Sequence, residues 1–301
     1  MSKELRFGIM TIQRLSWEKE VQRWKNIEAL RFDSIWLADH FLDPYNPTGN
    51  WYEAWTLLAA LATMTERIKI GTLVTSIPLR HPAILARQAL TVDHISNGRL
   101  ELGLGSGVSG ETDPVYEMIG IDDWTPHERV EHFKEQVEII DKCLQNREIS
   151  YEGNYYSIKN AYMYPSPIQK PRPPITIAAM GKRMLKITAQ FADTWNSLGG
   201  DWNTPAEKML KKTHERNETL NQYCNEIGRN PQAINRSFLF FGECFNSIFE
   251  SEEKFQDIVR QFKDIGINEF IFYYPREPNQ LSKFEQIAKE LIPKFKTGRW
   301  I

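Results

Sequence analysis

Eight short apolar runs, most of them followed by a stretch with helical spacing, constrain this 301-residue chain more than any other feature. The runs cover residues 6–10, 34–38, 68–74, 100–104, 174–178, 194–198, 238–241 and 269–273. Helical spacing falls over residues 17–30, 51–63, 83–95, 125–145, 183–191, 204–227, 251–265 and 280–295. Such alternation builds parallel strands joined by crossover helices, which is an α/β fold. Eight units predict a closed TIM (β/α)8 barrel, and a doubly wound open sheet is the rival that alternates equally well.

One segment interrupts the rhythm. Between residues 149 and 173 the run Tyr151-Glu152-Gly153-Asn154-Tyr155-Tyr156 offers a Gly-Asn turn, and Pro165, Pro167, Pro171 and Pro173 punctuate the approach to the fifth strand. This reads as an inserted hairpin and extended connection within a single domain of residues 1–301, with an interdomain linker as the alternative.

Charge and cysteine usage narrow the partners. With 37 basic and 39 acidic side chains interspersed and a net charge of −2, no electrostatic footprint for nucleic acid or anionic lipid is present. No run of about 18 uncharged apolar residues occurs, and the first residues show no leader pattern, so a cytoplasmic protein is expected. Cys143, Cys224 and Cys244 are odd in number and far apart, which fits packing rather than a disulfide framework or a thiolate metal site. No HExxH, EF-hand loop or Cys/His cluster is present, so no metal is expected.

In a parallel α/β architecture ligands gather at the carboxyl ends of the strands. Those ends carry Thr11 and Gln13, then Asp39 and His40, then Thr75 and Ser76, then Ser106, Gly107, Ser109 and Glu111, then Ala179 to Lys182. Gly103, Gly105 and Gly107 stand at every second position, which lets the backbone approach an anion or simply ends a strand in a turn. His40 is the sharpest ionisable candidate, because an imidazole titrates near neutrality and can accept a substrate proton. A satisfied structural histidine is the competing reading. His127, His132 and His214 lie in charge-rich helical stretches and are expected at the surface, His94 in packing, and His81 either at the pocket or ahead of a helix.

Several segments together resemble the bacterial luciferase-like flavin-dependent monooxygenase superfamily: Trp36-Leu37-Ala38-Asp39-His40-Phe41, the Thr-x-Arg-Ile-x-Ile-Gly pattern ending at Gly71, Arg80-His81-Pro82-Ala83, Ser96-x-Gly98-Arg99 leading to Gly103-Leu104-Gly105, and Pro171-x-Pro173-Pro174-Ile175 leading to Ala178-Ala179. The resemblance runs in unbroken order over roughly residues 5 to 200 and implies a luciferase-like TIM barrel with insertions. It implies an oxidoreductase or monooxygenase that uses FMN or coenzyme F-420, a deazaflavin, on a small organic substrate. His40 would act on the substrate. Asp39 and Ser76 would meet the cofactor ring, Leu73-Val74 would form a non-prolyl cis peptide against it, and Ser106, Gly107, Ala178, Ala179, Met180, Gly181 and Lys182 would hold its ribityl chain and phosphate. The family commonly forms dimers, so a homodimer is expected, with a separate flavin reductase if FMN is used.

This chain also departs from the pattern. Val108 stands where the sugar-phosphate-oxidising members carry glutamate, and Gln13 and Pro44 replace an acidic residue and a tryptophan. A valine transfers no proton, which argues against a sugar-phosphate dehydrogenase. Gln13, Val108 and Glu111 are left as substrate-pocket candidates. A catalytically silent flavin-binding or partner-binding paralogue is the alternative from another class, and an unrelated barrel enzyme with a phosphate-bearing substrate is a third.

Overall fold

The protein is described by a computed structural model covering residues 4–110, 113–246, 248–275 and 277–298. Its strands are β1 (Arg6–Thr11), β2 (Ser34–Leu37), β3 (Lys69–Thr72), β4 (Thr75–Ser76), β5 (Leu100–Gly105), β6 (Glu148–Glu152), β7 (Ser157–Tyr162), β8 (Ile175–Ala178), β9 (Thr194–Ser197), β10 (Asn235–Phe240) and β11 (Glu269–Tyr273). The helices are α1 (Trp17–Ala29), α2 (Ala54–Met64), α3 (Pro82–Ile95), α4 (Val115–Ile119), α5 (Pro126–Gln145), α6 (Lys182–Phe191), α7 (Ala206–Glu226), α8 (Glu252–Asp264), α9 (Pro278–Gln286) and α10 (Ile292–Thr297). In the sheet the order is β3-β2-β1-β11-β10-β9-β8-β5-β4, and β3 pairs again with β5. That order returns on itself, so the fold is the TIM barrel and the open sheet is ruled out. No helix among the described residues is long and apolar enough to cross a membrane.

The chain packs as two compact units, one of Met1–Thr11, Lys25–Trp36 and Ala178–Ile301, the other of Ile12–Trp24 and Leu37–Ile177. In the first, β1 and β10 flank β11 in parallel register. Alternation puts Phe238, Phe240, Phe270 and Phe272 on one face, and helical spacing puts Phe255, Val259 and Phe262 of α8 in one stripe. The two sets meet: Phe238 lies 4.4 Å from Phe262 and Phe255 lies 5.3 Å from Phe272, centroid to centroid. Each such ring, fully buried, stabilises by about 1.5–3 kcal/mol. Ser251 starts α8 by accepting the Lys254 amide at 3.1 Å. β10 begins ahead of its predicted run because the buried Arg236 is satisfied by Asn217, Asn221 and the Ile234 carbonyl, which sequence spacing alone does not reveal.

In the second unit Arg99 explains the two motifs around it. Its guanidinium donates to the carbonyls of Ala62, Thr65, Ile68 and Ser96, tying the end of α2, the approach to β3 and the end of α3 to the foot of β5. The run predicted as one strand over 68–74 splits in two. Ile70 and Gly71 pair with Leu100 and Glu101, whereas Thr75 and Ser76 pair with Leu104 and Gly105. Four steps from Gly71 to Thr75 thus face three from Glu101 to Leu104, a bulge of one residue. The Leu73-Val74 peptide inside it is cis. β6 and β7 form an antiparallel hairpin whose turn amides, at Asn154, Tyr155 and Tyr156, all donate to the Glu135 carboxylate of α5.

Candidate functional site

The bulge accounts for the alternating glycines. A Cβ on Gly103 would run into the Thr72 carbonyl, and one on Gly105 into the Val74 side chain. Those two glycines therefore let one strand segment close over another, and the anion-cradle reading of the pair is corrected. Gly107 differs, with φ of +77°, and a Cβ there would meet Tyr116 Oη at 2.9 Å and Pro78. It turns the chain at the end of β5 in a conformation that favours glycine.

Asp39 follows β2 and is 3% exposed. Its carboxylate accepts the Ser76 amide at 3.0 Å and grips Arg80 through both guanidinium nitrogens, Nη2 to Oδ1 at 3.0 Å. Such a forked pair is the strong form of a charge-assisted bond. Arg80 reaches on to Glu53, which also caps α2 through the Trp55 and Thr56 amides. Asp39 thus fixes the segment that leaves the bulge, and Ser76 and Val74 remain partly exposed beside it.

His40 points elsewhere, as expected of the next residue along an extended chain. Its Nδ1 lies 2.8 Å from Asp113 Oδ2, and its ring edge faces Trp51, whose indole donates to the His40 carbonyl at 2.7 Å. The His40 side chain is one-third exposed and Asp113 is buried. Burial alone would raise the Asp113 carboxyl, but its bond to His40, the Val115 amide and the charge of His40 outweigh it and hold the carboxyl below its ordinary value. A carboxyl depressed in the folded state stabilises fully above its unfolded value, about 3.9, and stops doing so as pH falls through the lower folded value. Asp113→Asn is therefore expected to cost about 1 kcal/mol at neutral pH, with the difference closing as the medium is acidified below about pH 3. Thermal melts of both proteins across that range check this; a gap that widens in acid would overturn it.

Around the end of β5, Ser106 lines a cavity of about 410 Å³ with Ser109, Asp123, Trp124, Thr125, Pro126 and Arg129. Arg129 is neutralised there by Asp123 at 2.5 Å and binds the Val108 carbonyl. The Val108 side chain is exposed and apolar. Gln13 is fully buried, donates to the Ala38 and Tyr52 carbonyls at 2.5 and 3.3 Å, and its Oε1 finds no donor among the described residues. Glu111 lies outside the described residues.

Ala178, Ala179, Met180, Gly181 and Lys182 belong to the other unit. Gly181 is the N-cap of α6 with no side-chain cap, and a Cβ on it would meet nothing within 4 Å. No side chain of the N-cap residue caps the first amides of α6, the arrangement that can accept an anion.

Sequence reasoning passed over Arg80, Asp113, Trp51 and Tyr116 as members of this constellation. Arg80 alone left a signal, standing in the quoted Arg-His-Pro-Ala run. Among the other histidines, His81 caps α3 and His94 bonds the Ser166 carbonyl at 2.9 Å. His132 is not a plain surface residue: it is sandwiched between Trp124 at 3.7 Å and Tyr155 at 3.8 Å, because the hairpin folds over α5. Cys143, Cys224 and Cys244 are free, and burial pushes the Cys143 thiol up to about 11.

The sequence matches the luciferase-like monooxygenase family over residues 5–297. An F420-dependent glucose-6-phosphate dehydrogenase of Microbacterium testaceum is 33% identical over 186 residues, 61% of this chain and 53% of that protein. A phthiodiolone/phenolphthiodiolone dimycocerosates ketoreductase of Mycobacterium tuberculosis is 31% identical over 61% of this chain and 45% of its own. The chain thus spans about half the length of these curated relatives. Among solved structures, an F420-dependent secondary alcohol dehydrogenase in complex with an F420-acetone adduct superimposes with a TM-score of 0.81 at 16% identity, over 96% of this chain and all of the other. At that identity the likeness shows the fold.

Proposed function

The chain belongs to the luciferase-like monooxygenase family, and from that premise we propose that it is an oxidoreductase using a flavin-type cofactor, coenzyme F-420 in preference to FMN, on a small neutral alcohol or its ketone. One observation carries the reading: Asp39 and Arg80 lock the Ser76 amide beside the bulge, while the very next residue, His40, presents a partly exposed ring. The name of the Microbacterium testaceum relative, an F420-dependent dehydrogenase, supports the choice of F-420. Val108 supports a neutral substrate, since an apolar side chain stands where the resemblance puts a glutamate in the sugar-phosphate oxidisers.

The residues suit such a cofactor. In the unit that holds the bulge, Val74 and Ser76 offer a fixed, partly exposed edge for a ring, and Ser106 and Gly107 a turn for a polyol chain. In the other unit, taken by itself, Ala178 to Lys182 offer uncapped amides and a cation of the kind a phosphate takes. When bound, the deazaflavin supplies a hydride acceptor or donor. His40 takes the hydroxyl proton in oxidation and returns it in reduction. Asp39 and Arg80 hold the ring-facing segment still. Self-association through α2 and α3, whose Met64, Ile84 and Ile95 are exposed, is part of the same proposal.

Fluorescence-quenching titrations with F-420 and, separately, FMN test the reading. F-420 is expected to bind tightly and to be reduced with propan-2-ol as probe substrate. His40→Ala should keep the binding and lower turnover about a hundredfold. Binding of neither cofactor sinks the proposal, and binding of FMN alone moves the enzyme to oxygen-dependent chemistry. An unchanged His40→Ala turnover removes the histidine from the mechanism.

A further inference from the structure

We infer that Asp113 is the positioning residue that holds His40 in a single tautomer, proton on Nδ1 and lone pair on Nε2, so that the carboxylate serving this site comes from the loop after β5 rather than from position 108. The inference deepens the proposed function and rests on it for its consequence, not for its geometry.

The two oxygens of Asp113 are divided between two partners. Oδ1 accepts the Val115 amide at 3.1 Å and Oδ2 faces His40 Nδ1 at 2.8 Å. An ionised carboxylate only accepts, so the nitrogen facing Oδ2 carries the proton, and a neutral imidazole with its proton there has a bare Nε2. Burial supplies the polarity: the Asp113 side chain is 7% exposed and the His40 side chain 34%, so charge is kept inside and the imidazole reaches the open side. The backbone of His40 is pinned separately, by Trp51 Nε1 on its carbonyl at 2.7 Å. When Nε2 takes a substrate hydroxyl proton, the neighbouring carboxylate offsets the new charge.

Position 108 has no such role. Its carbonyl is held by Arg129 and its side chain is an exposed apolar group. A site served by a histidine backed by a buried aspartate, with valine alongside, suits a hydroxyl on an uncharged carbon skeleton.

Asp113→Asn is a sharp probe because the Val115 amide claims the remaining oxygen. The new NH2 group then faces Nδ1, forces it to accept, and moves the imidazole proton to Nε2. The experiment is long-range 1H–15N correlation on 15N-histidine protein without cofactor, at about pH 8.5, about two units above the ordinary imidazole value, with His40→Gln to assign the signals. The wild-type protein is expected to show His40 as the Nδ1–H form alone, and Asp113→Asn as the Nε2–H form. Turnover of propan-2-ol with F-420 should fall about tenfold or more in Asp113→Asn with F-420 affinity within about twofold, and Asp113→Glu should recover part of it. A wild-type His40 in the Nε2–H form overturns the inference, as does an Asp113→Asn protein that keeps Nδ1–H. The wild-type spectrum decides even if the variant does not fold. Because the spectrum is read without cofactor, failure of F-420 to bind counts against the proposed function and leaves the tautomer result standing.

Discussion

Gly103→Ala is expected to destabilise the protein by about 4 kcal/mol or more, beyond the 1–3 kcal/mol of ordinary overpacking. The methyl group would lie inside the Thr72 carbonyl oxygen, a backbone atom held by the bulge and unable to rotate away. To admit it, the β3–β4 segment would have to lift off β5, breaking the pairing of Thr75 with Leu104 and the Leu73 amide bond to the Leu37 carbonyl at 2.9 Å. Gly105→Ala meets only the Val74 side chain, so its cost should be smaller, within about 1–3 kcal/mol. Gly181→Ala meets nothing within 4 Å and has extended backbone, so its stability should change by less than about 0.5 kcal/mol. Denaturant midpoints of the three variants test the ranking. If Gly103→Ala and Gly181→Ala are equally stable, the close approach over β5 is not what requires glycine there.

That ranking separates two reasons for glycine which a sequence cannot distinguish. Gly103, Gly105 and Gly107 are evenly spaced, and the spacing reads equally well as an anion cradle or as a strand end. What decides is the bulge at residues 73–74, about thirty positions earlier, and only register shows it. The strand and helix periodicities were readable because they are local: Phe255, Val259 and Phe262 announce a buried stripe wherever they occur. The site was readable as positions but not as partners. Asp39 and Arg80 are 41 residues apart and His40 and Asp113 are 73 apart, so nothing in the spacing joins them. Helix α4, five residues long, was invisible for a different reason: its first turn is organised by Asp113, which gives up one oxygen to Val115. The family resemblance supplied Asp39, His40, Ser76 and the Leu73-Val74 peptide as a set; it held Arg80 only as part of the Arg-His-Pro-Ala run, with no role attached, and carried nothing about Asp113.

Arg80→Met should cost about 3–5 kcal/mol, because it leaves the Asp39 carboxylate buried with only the Ser76 amide as partner. In a chain of this length that is a fall in melting temperature of the order of 10 °C. Asp39→Asn should cost less, since the arginine it releases keeps Glu53 at 3.3 Å, a partner that is itself half exposed. The double variant carries no unpaired buried charge and should be more stable than Arg80→Met alone, with a coupling of about 1–3 kcal/mol. Cofactor affinity should follow a different order. The carboxamide oxygen that Asp39→Asn leaves in place can still accept the Ser76 amide, so that variant should bind F-420 more tightly than Arg80→Met, in which the unpaired carboxylate is driven to move and carries the 76–80 segment with it. If the double variant is no more stable than Arg80→Met, the pair is a surface-like contact of little worth. If all three variants bind F-420 as the wild type does, residues 76–80 do not support the cofactor.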